Sequence, residues 1–138
     1  MELRKLAYRY AYAIDHREWE LIPRVFGEDA HLEGPGFEMD GHEQLRAGLP
    51  AIEMYSATMH YVMNQMTEIE GDQAKGVVYC LANHIYEKEG VPHKLDMGIR
   101  YRDRYVRSEG HWLIEHRVLG LVWQQDLPLE LSGTGASS

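Results

Sequence analysis

Apolar residues recur at three- and four-residue spacing between Leu3 and Asp15. Leu3, Leu6, Ala7, Tyr10, Ala13 and Ile14 share one stripe, which predicts an amphipathic helix. A second, short helix is predicted from Trp19 to Phe26, with Pro23 tolerated near its first turn and Gly27 ending it. Ala30 to Glu33 reads as a short strand before a turn over Gly34, Pro35 and Gly36. Asp40 is a candidate N-cap with Glu43 three residues on. The helix it opens runs to about Gly48, and Pro50 restarts or kinks it toward Tyr55.

From Met59 the period changes to two. Four strands are predicted, Met59–Glu70, Gln73–Lys88, His93–Ser108 and Trp112–Gln124, joined by hairpin-length connections at Gly71-Asp72, Glu89-Gly90 and Glu109-Gly110. Helices first and then an antiparallel meander make an α+β fold, with N-terminal helices packed on one face of a strongly curved sheet. Such a sheet, closed on one side by helices, is a cone with a hydrophobic pocket at its mouth. The reading is one domain over residues 1–127, followed by a disordered tail from Pro128 to Ser138 that is rich in Gly and Ser.

Composition narrows the function classes. The chain has 138 residues, 44% of them hydrophobic and 26% charged, which suits one globular core. No apolar run approaches the roughly 20 residues of a membrane span, and Met1 to Lys5 precede no signal-peptide core, so a cytoplasmic location without membrane contact is expected. The formal net charge of −8 opposes nucleic-acid binding. Arg100, Arg102 and Arg104 alternate and are expected on a solvated strand face. Cys80, the single cysteine, sits in an apolar run and reads as a buried structural thiol. With no Cys pair, no His-x-x-x-His, no P-loop and no dinucleotide fingerprint, neither a metal nor a cofactor is expected.

Three separated polar residues fall where the pattern calls for buried surface. Asp15 ends the first helical run, His60 opens one strand and His84 sits in the next. Residues two apart on a strand share a face. His60, Val62 and Asn64 therefore point together, as do Val78, Cys80, Ala82, His84 and Tyr86. Ile99, Tyr101, Asp103 and Tyr105 form another face opposite the arginines, and His116 and Arg117 point to opposite sides. A carboxylate and two imidazoles converging on an apolar interior can move protons without a cofactor. Taken singly, each has a plainer reading: a histidine on an apolar face is more often held by core hydrogen bonds, and Asp15 fits an Asx-turn or a cap for the Trp19 helix. Tyr8, Tyr10 and Tyr12 likewise fit either helix packing or substrate contact.

Tyr10 to Trp19, Phe26 to Ala30, His60 to Asn64, Tyr101 to Tyr105 and Gly110 to Trp112 together resemble the SnoaL-like branch of the nuclear transport factor two-like superfamily, over about Leu3 to Gln124. The resemblance implies a cystatin-like α+β barrel. Within the branch, the scytalone dehydratase and hexachlorocyclohexane dehydrochlorinase families serve as models. It implies a cofactor-free lyase acting by dehydratase-like elimination on a small, apolar, cyclic or aromatic substrate. Isomerase, cyclase and non-catalytic ligand-binding functions occur on the same scaffold. In that reading His60 is the general base, Asp15 orients it, and His84 serves the leaving oxygen together with Tyr101 or Tyr86. Asn64, Arg117 and Tyr12 complete the substrate contacts. Ile14 stands where scytalone dehydratase carries a tyrosine, and the dehydrochlorinase has no counterpart of His84. The resemblance further implies a homotrimer, with a dimer as the alternative.

Overall fold

The computed structural model of the chain describes residues 2–130. Helix α1 (Glu2–His16) buries Leu3, Leu6, Ala7, Tyr10, Ala11, Ala13 and Ile14, the predicted stripe widened by Ala11. A 3-10 turn (Trp19–Leu21) leads into the short α2 (Ile22–Val25). The predicted second helix therefore ends one residue early, because Phe26 and Gly27 already belong to strand β1 (Phe26–Gly34). Phe26 pairs with Ile114 on the last strand, and that pairing overrides local helical spacing. The hairpin turn leads into β2 (Phe37–Asp40), an edge strand too short to leave a periodic signal.

Helix α3 (Gly41–Gly48) begins at Asp40 as expected, but the cap is built differently. The Asp40 carboxylate makes no capping bond and instead meets His31, while Gln44 Oε1 accepts the Asp40 N–H at 2.7 Å. A 3-10 segment (Leu49–Met54) with Pro50 near its start then leads to the meander: β3 (Ala57–Glu70), β4 (Gln73–Lys88), β5 (Val91–Ser108) and β6 (His111–Pro128). The order across the curved six-stranded sheet is β2-β1-β6-β5-β4-β3, and the β1–β6 pair alone is parallel. The last strand reaches Pro128, and the Leu129 N–H donates to the Pro92 carbonyl. Most of the expected tail, residues 131–138, lies outside the described residues.

The inner face of the sheet carries Val78, Cys80, Ala82, Ile99, Tyr101 and Tyr105, packed under α1 and α2. Arg100, Arg102 and Arg104 are exposed on the outer face, as the alternation predicts. Deep in the core the Arg117 guanidinium forms two 2.7 Å bonds to the Asp103 carboxylate and lies over the rings of Tyr10 and Tyr101. Asp103 also accepts the Tyr105 hydroxyl at 2.6 Å, so this buried ion pair is hydrogen-bonded on several sides, the condition under which a buried pair is tolerated. Among the described residues no helix is long and apolar enough to cross a membrane.

Candidate functional site

Asp15 occupies the last turn of α1, and the way that helix stops sets its direction. The Glu18 N–H donates to the Ala13 carbonyl at 2.9 Å and the Arg17 N–H to the Ile14 carbonyl at 3.3 Å, a Schellman closure. Its left-handed position, usually glycine, is held by Arg17 at φ 58°. The strained backbone sends the Arg17 side chain back across the helix end. Its guanidinium donates to the Ile14 carbonyl at 2.8 Å, to the Tyr55 carbonyl at 3.1 Å and to the Thr58 hydroxyl at 2.8 Å.

The Thr58 hydroxyl, having accepted from Arg17, donates to Asp15 Oδ1 at 3.0 Å. His60 binds the same carboxylate twice, through its backbone N–H to Oδ2 and its ring Nδ1 to Oδ1, both at 2.7 Å. Burial alone would raise the Asp15 carboxyl, but the bonds from His60 and Thr58 outweigh it and hold Asp15 below the ordinary carboxylate value. An ionised Asp15 can only accept, so His60 Nδ1 carries hydrogen, and in the neutral ring the lone pair is on Nε2. Nε2 takes no hydrogen bond among the described residues.

His84 belongs to the same surface. Thr58 pairs with His84 and His60 with Ala82 across β3 and β4, which puts all three side chains on the inner face. The two imidazoles meet edge to face with centroids 6.0 Å apart, and the Tyr55 ring lies 4.7 Å from His84. His84 Nδ1 faces the Leu95 carbonyl at 3.0 Å and must donate to it. Burial is the main cause that lowers the His84 pKa, so the ring is neutral and its Nε2 is an acceptor. A neutral ring in this tautomer has no second N–H to offer, so a hydrogen bond accepted at Nε2 is the contact open to His84.

The other expected contacts divide. Tyr101 is buried on the inner face, and its hydroxyl is the only buried side-chain N or O among the described residues without a hydrogen-bond partner. Desolvation by burial raises its pKa well above the ordinary tyrosine value, so it stays a donor. Tyr86 stands at the mouth, with its hydroxyl bonded to Asp126 and its ring near Tyr55 and His93. Arg117 is committed to Asp103.

Two expectations are overturned by local geometry. Asn64 is exposed because a β-bulge falls between Val62, paired with Cys80, and Gln65, paired with Val78; past it Gln65 takes the inner face. Tyr12 is 49% exposed on the outer side of α1, stacked on His16 at 4.1 Å. Sequence reading missed Arg17, Thr58 and Tyr55. Thr58 lay two residues before His60 on the same face, which was the available signal.

Trp19, Met39, Leu49, Ile52, Val62, Met97 and Leu119 pack on the core while keeping part of their surface accessible. A separate groove of about 500 Å³ runs on the outer face past Val77, Arg102, Arg104 and His116, on the other side of the sheet from the dyad. Cys80, whose thiol burial pushes up to about 11, is unsuited to act as a nucleophile. The arrangement as a whole offers an oriented imidazole base, a second imidazole acceptor and aromatic walls.

A family model described as a SnoaL-like domain matches residues 1–118. An uncharacterized protein of Mycobacterium tuberculosis (strain ATCC 25618 / H37Rv) is 27% identical over 123 residues, covering 86% of this chain and 82% of that protein. Among solved structures, a Kribbella flavida protein superposes with a TM-score of 0.83 at 23% identity, covering 90% of each chain. A scytalone dehydratase candidate from Novosphingobium aromaticivorans has a TM-score of 0.81 at 23% identity, covering 94% of this chain and 87% of that one. A type 2 hexachlorocyclohexane dehydrochlorinase has a TM-score of 0.79 at 19% identity, with the same 94% and 87% coverage. At these identities the likeness to solved structures shows the fold.

Proposed function

The chain belongs to the SnoaL-like domain family, and from that premise we propose that it is a cofactor-independent lyase acting on a small apolar cyclic or aromatic compound. One observation carries the proposal: His60 has one ring nitrogen held by an ionised carboxylate and the other unbonded, with a second imidazole edge to face beside it. That is the arrangement of a general base whose partner fixes the tautomer and stabilises the imidazolium as it forms.

In this reading His60 Nε2 removes a proton from carbon. The C–H electron pair becomes the new double bond, and the bond to the leaving group breaks with its electrons on that group. The proton now on His60 is the acid available to a departing oxygen. His84 Nε2 accepts from a substrate hydroxyl, so it orients the substrate. Tyr101 supplies a donor deeper in the cone, and Tyr55 and Tyr86 flank a ring at the mouth. Positioning and exclusion of water supply the remainder of the rate enhancement.

Product mass tests the reading. The protein is incubated without added cofactor against hydroxylated, halogenated and aromatic small molecules. Loss of water or of a hydrogen halide is the expected result. A product of unchanged mass makes it an isomerase or cyclase using the same base, and saturable binding without turnover makes it a ligand-binding domain.

A further inference from the structure

We propose a divalent transition-metal site on the outer face of the sheet, where β2, β1 and β6 meet, with His31, Glu33, Glu38 and His116 as ligands. It lies on the opposite side of the sheet from the Asp15–His60 pair and does not depend on the lyase reading.

Register brings the four side chains to one place. On β1, His31 and Glu33 are two residues apart and share a face. Glu38 of β2 pairs with Glu33, and His116 of β6 pairs with His31. One ligand atom each from His31, Glu33 and His116 lies within 4.8 Å of the others, and Glu38 Oε2 is 3.7 Å from His31 Nε2. The imidazoles of His31 and His116 lie nearly parallel, with centroids 4.9 Å apart.

A carboxylate already holds the remote nitrogen of His31. His31 Nδ1 meets Asp40 Oδ1 at 2.7 Å, which turns Nε2 toward Glu33 Oε1 at 2.8 Å. A carboxylate on the remote nitrogen of a metal-bound histidine orients the ring and raises its basicity. Charge points the same way. Glu33 and Glu38 sit directly opposite each other, a like-charged cross-strand pair that destabilises a sheet, and Asp40 adds a third carboxylate around one imidazole. Arg104, opposite His116 on β5, and Arg102, two residues away on the same face, are the nearby cations, and neither forms an ion pair with the three carboxylates among the described residues.

Two imidazoles and two carboxylates suit zinc, whose structural sites are tetrahedral. Calcium and magnesium, which prefer oxygen alone, are disfavoured. An ion here would tie the four-residue edge strand β2 to β1 and β6. On the reverse side of β2, Met39 packs against the core. No linear motif marks the site, because the ligands come from three strands and not from one helix or one Cys pair.

The test is zinc titration of the full chain by calorimetry, with cobalt substitution as a spectroscopic readout. The expected result is one zinc per chain at micromolar concentration, a melting temperature several degrees higher with zinc in hundredfold excess over Kd, and a tetrahedral cobalt spectrum. His31→Ala and His116→Gln should abolish these signals, Asp40→Asn should weaken affinity about 10- to 100-fold, and His111→Ala should leave them intact. Absence of binding, equal binding by folded His31→Ala and His116→Gln chains, or an octahedral cobalt spectrum in the unaltered chain would each overturn the proposal.

Discussion

Thr58 joins two charges that never touch. It accepts from Arg17 and donates to Asp15, so its hydroxyl hydrogen has one direction to point. Thr58→Val keeps the shape, removes the relay and leaves an Arg17 donor without its acceptor. A hydrogen bond to a charged group contributes about 1.5–3 kcal/mol, so turnover should fall at least roughly tenfold. Thr58→Ser should restore it by returning the hydroxyl. Steady-state kinetics of the two variants separate the relay from simple packing, because a packing role would not be rescued by the smaller serine.

His84 gives a second residue-scale prediction. Its pKa is lowered by burial, so its contribution to stability is complete above the ordinary histidine value of about 6.5 and is lost as pH falls through the lowered folded value. His31 acts in the opposite sense, since bonds to Asp40 and Glu33 raise its pKa and its contribution is lost as pH rises. Urea unfolding at about pH 7.5 and about pH 5.5 should show the unaltered chain losing more stability on acidification than His84→Gln, with the His31 effect cancelling between them. Equal losses would contradict a neutral, buried His84. Asp15, His60 and His84 were legible in the sequence because polar residues stood at positions the apolar pattern reserved for the interior. Arg17 was not, because nothing in its neighbours announces a non-glycine residue in the left-handed region.

At the scale of elements, the four meander strands were legible, with β4 matched at both ends, β3 and β5 starting two residues earlier than expected and β6 running four residues past Gln124 to Pro128. Three features were not. The bulge at Met63-Asn64 reverses facing on β3, and alternation carried across it put Asn64 on the wrong side. A register shift beside Glu115 does the same on β6, between the inward Ile114 and the inward Arg117. Phe26 follows its pairing with Ile114 on a distant strand, which local spacing does not encode, and β2 is four residues long, too short to leave a periodic signal. The two later hairpins turn through Glu89 at φ 53° with Gly90 at 81°, and Glu109 at φ 50° with Gly110 at 80°. Both residues of each turn are left-handed, and glutamate tolerates that poorly while asparagine accepts it. Glu109→Asn should therefore raise the unfolding free energy by about 0.5–1 kcal/mol in urea titration. A loss of that size would mean the Glu109 side chain has a favourable role that no hydrogen bond or ion pair accounts for.

Across the whole molecule, helices and sheet enclose the dyad while the outer sheet face remains partly apolar. Tyr61, Leu81, Gly98 and Trp123 form one row across β3, β4, β5 and β6, and the Trp123 indole lies where a side chain on Gly98 would stand. Met59, Tyr61, Tyr79 and Trp123 are 54%, 42%, 39% and 47% exposed, large apolar side chains gathered on that outer face. A homotrimer is the expected assembly and a dimer the alternative. Light scattering that gives a monomer at micromolar concentration would contradict both.

The central claim is that His60 is the base, and turnover by His60→Ala tests it most directly once a substrate is found by mass loss. With the fold verified by circular dichroism, the expected result is a fall of about 10²–10⁴-fold. Near-normal turnover by a folded His60→Ala chain would contradict the assignment even if the elimination itself were confirmed.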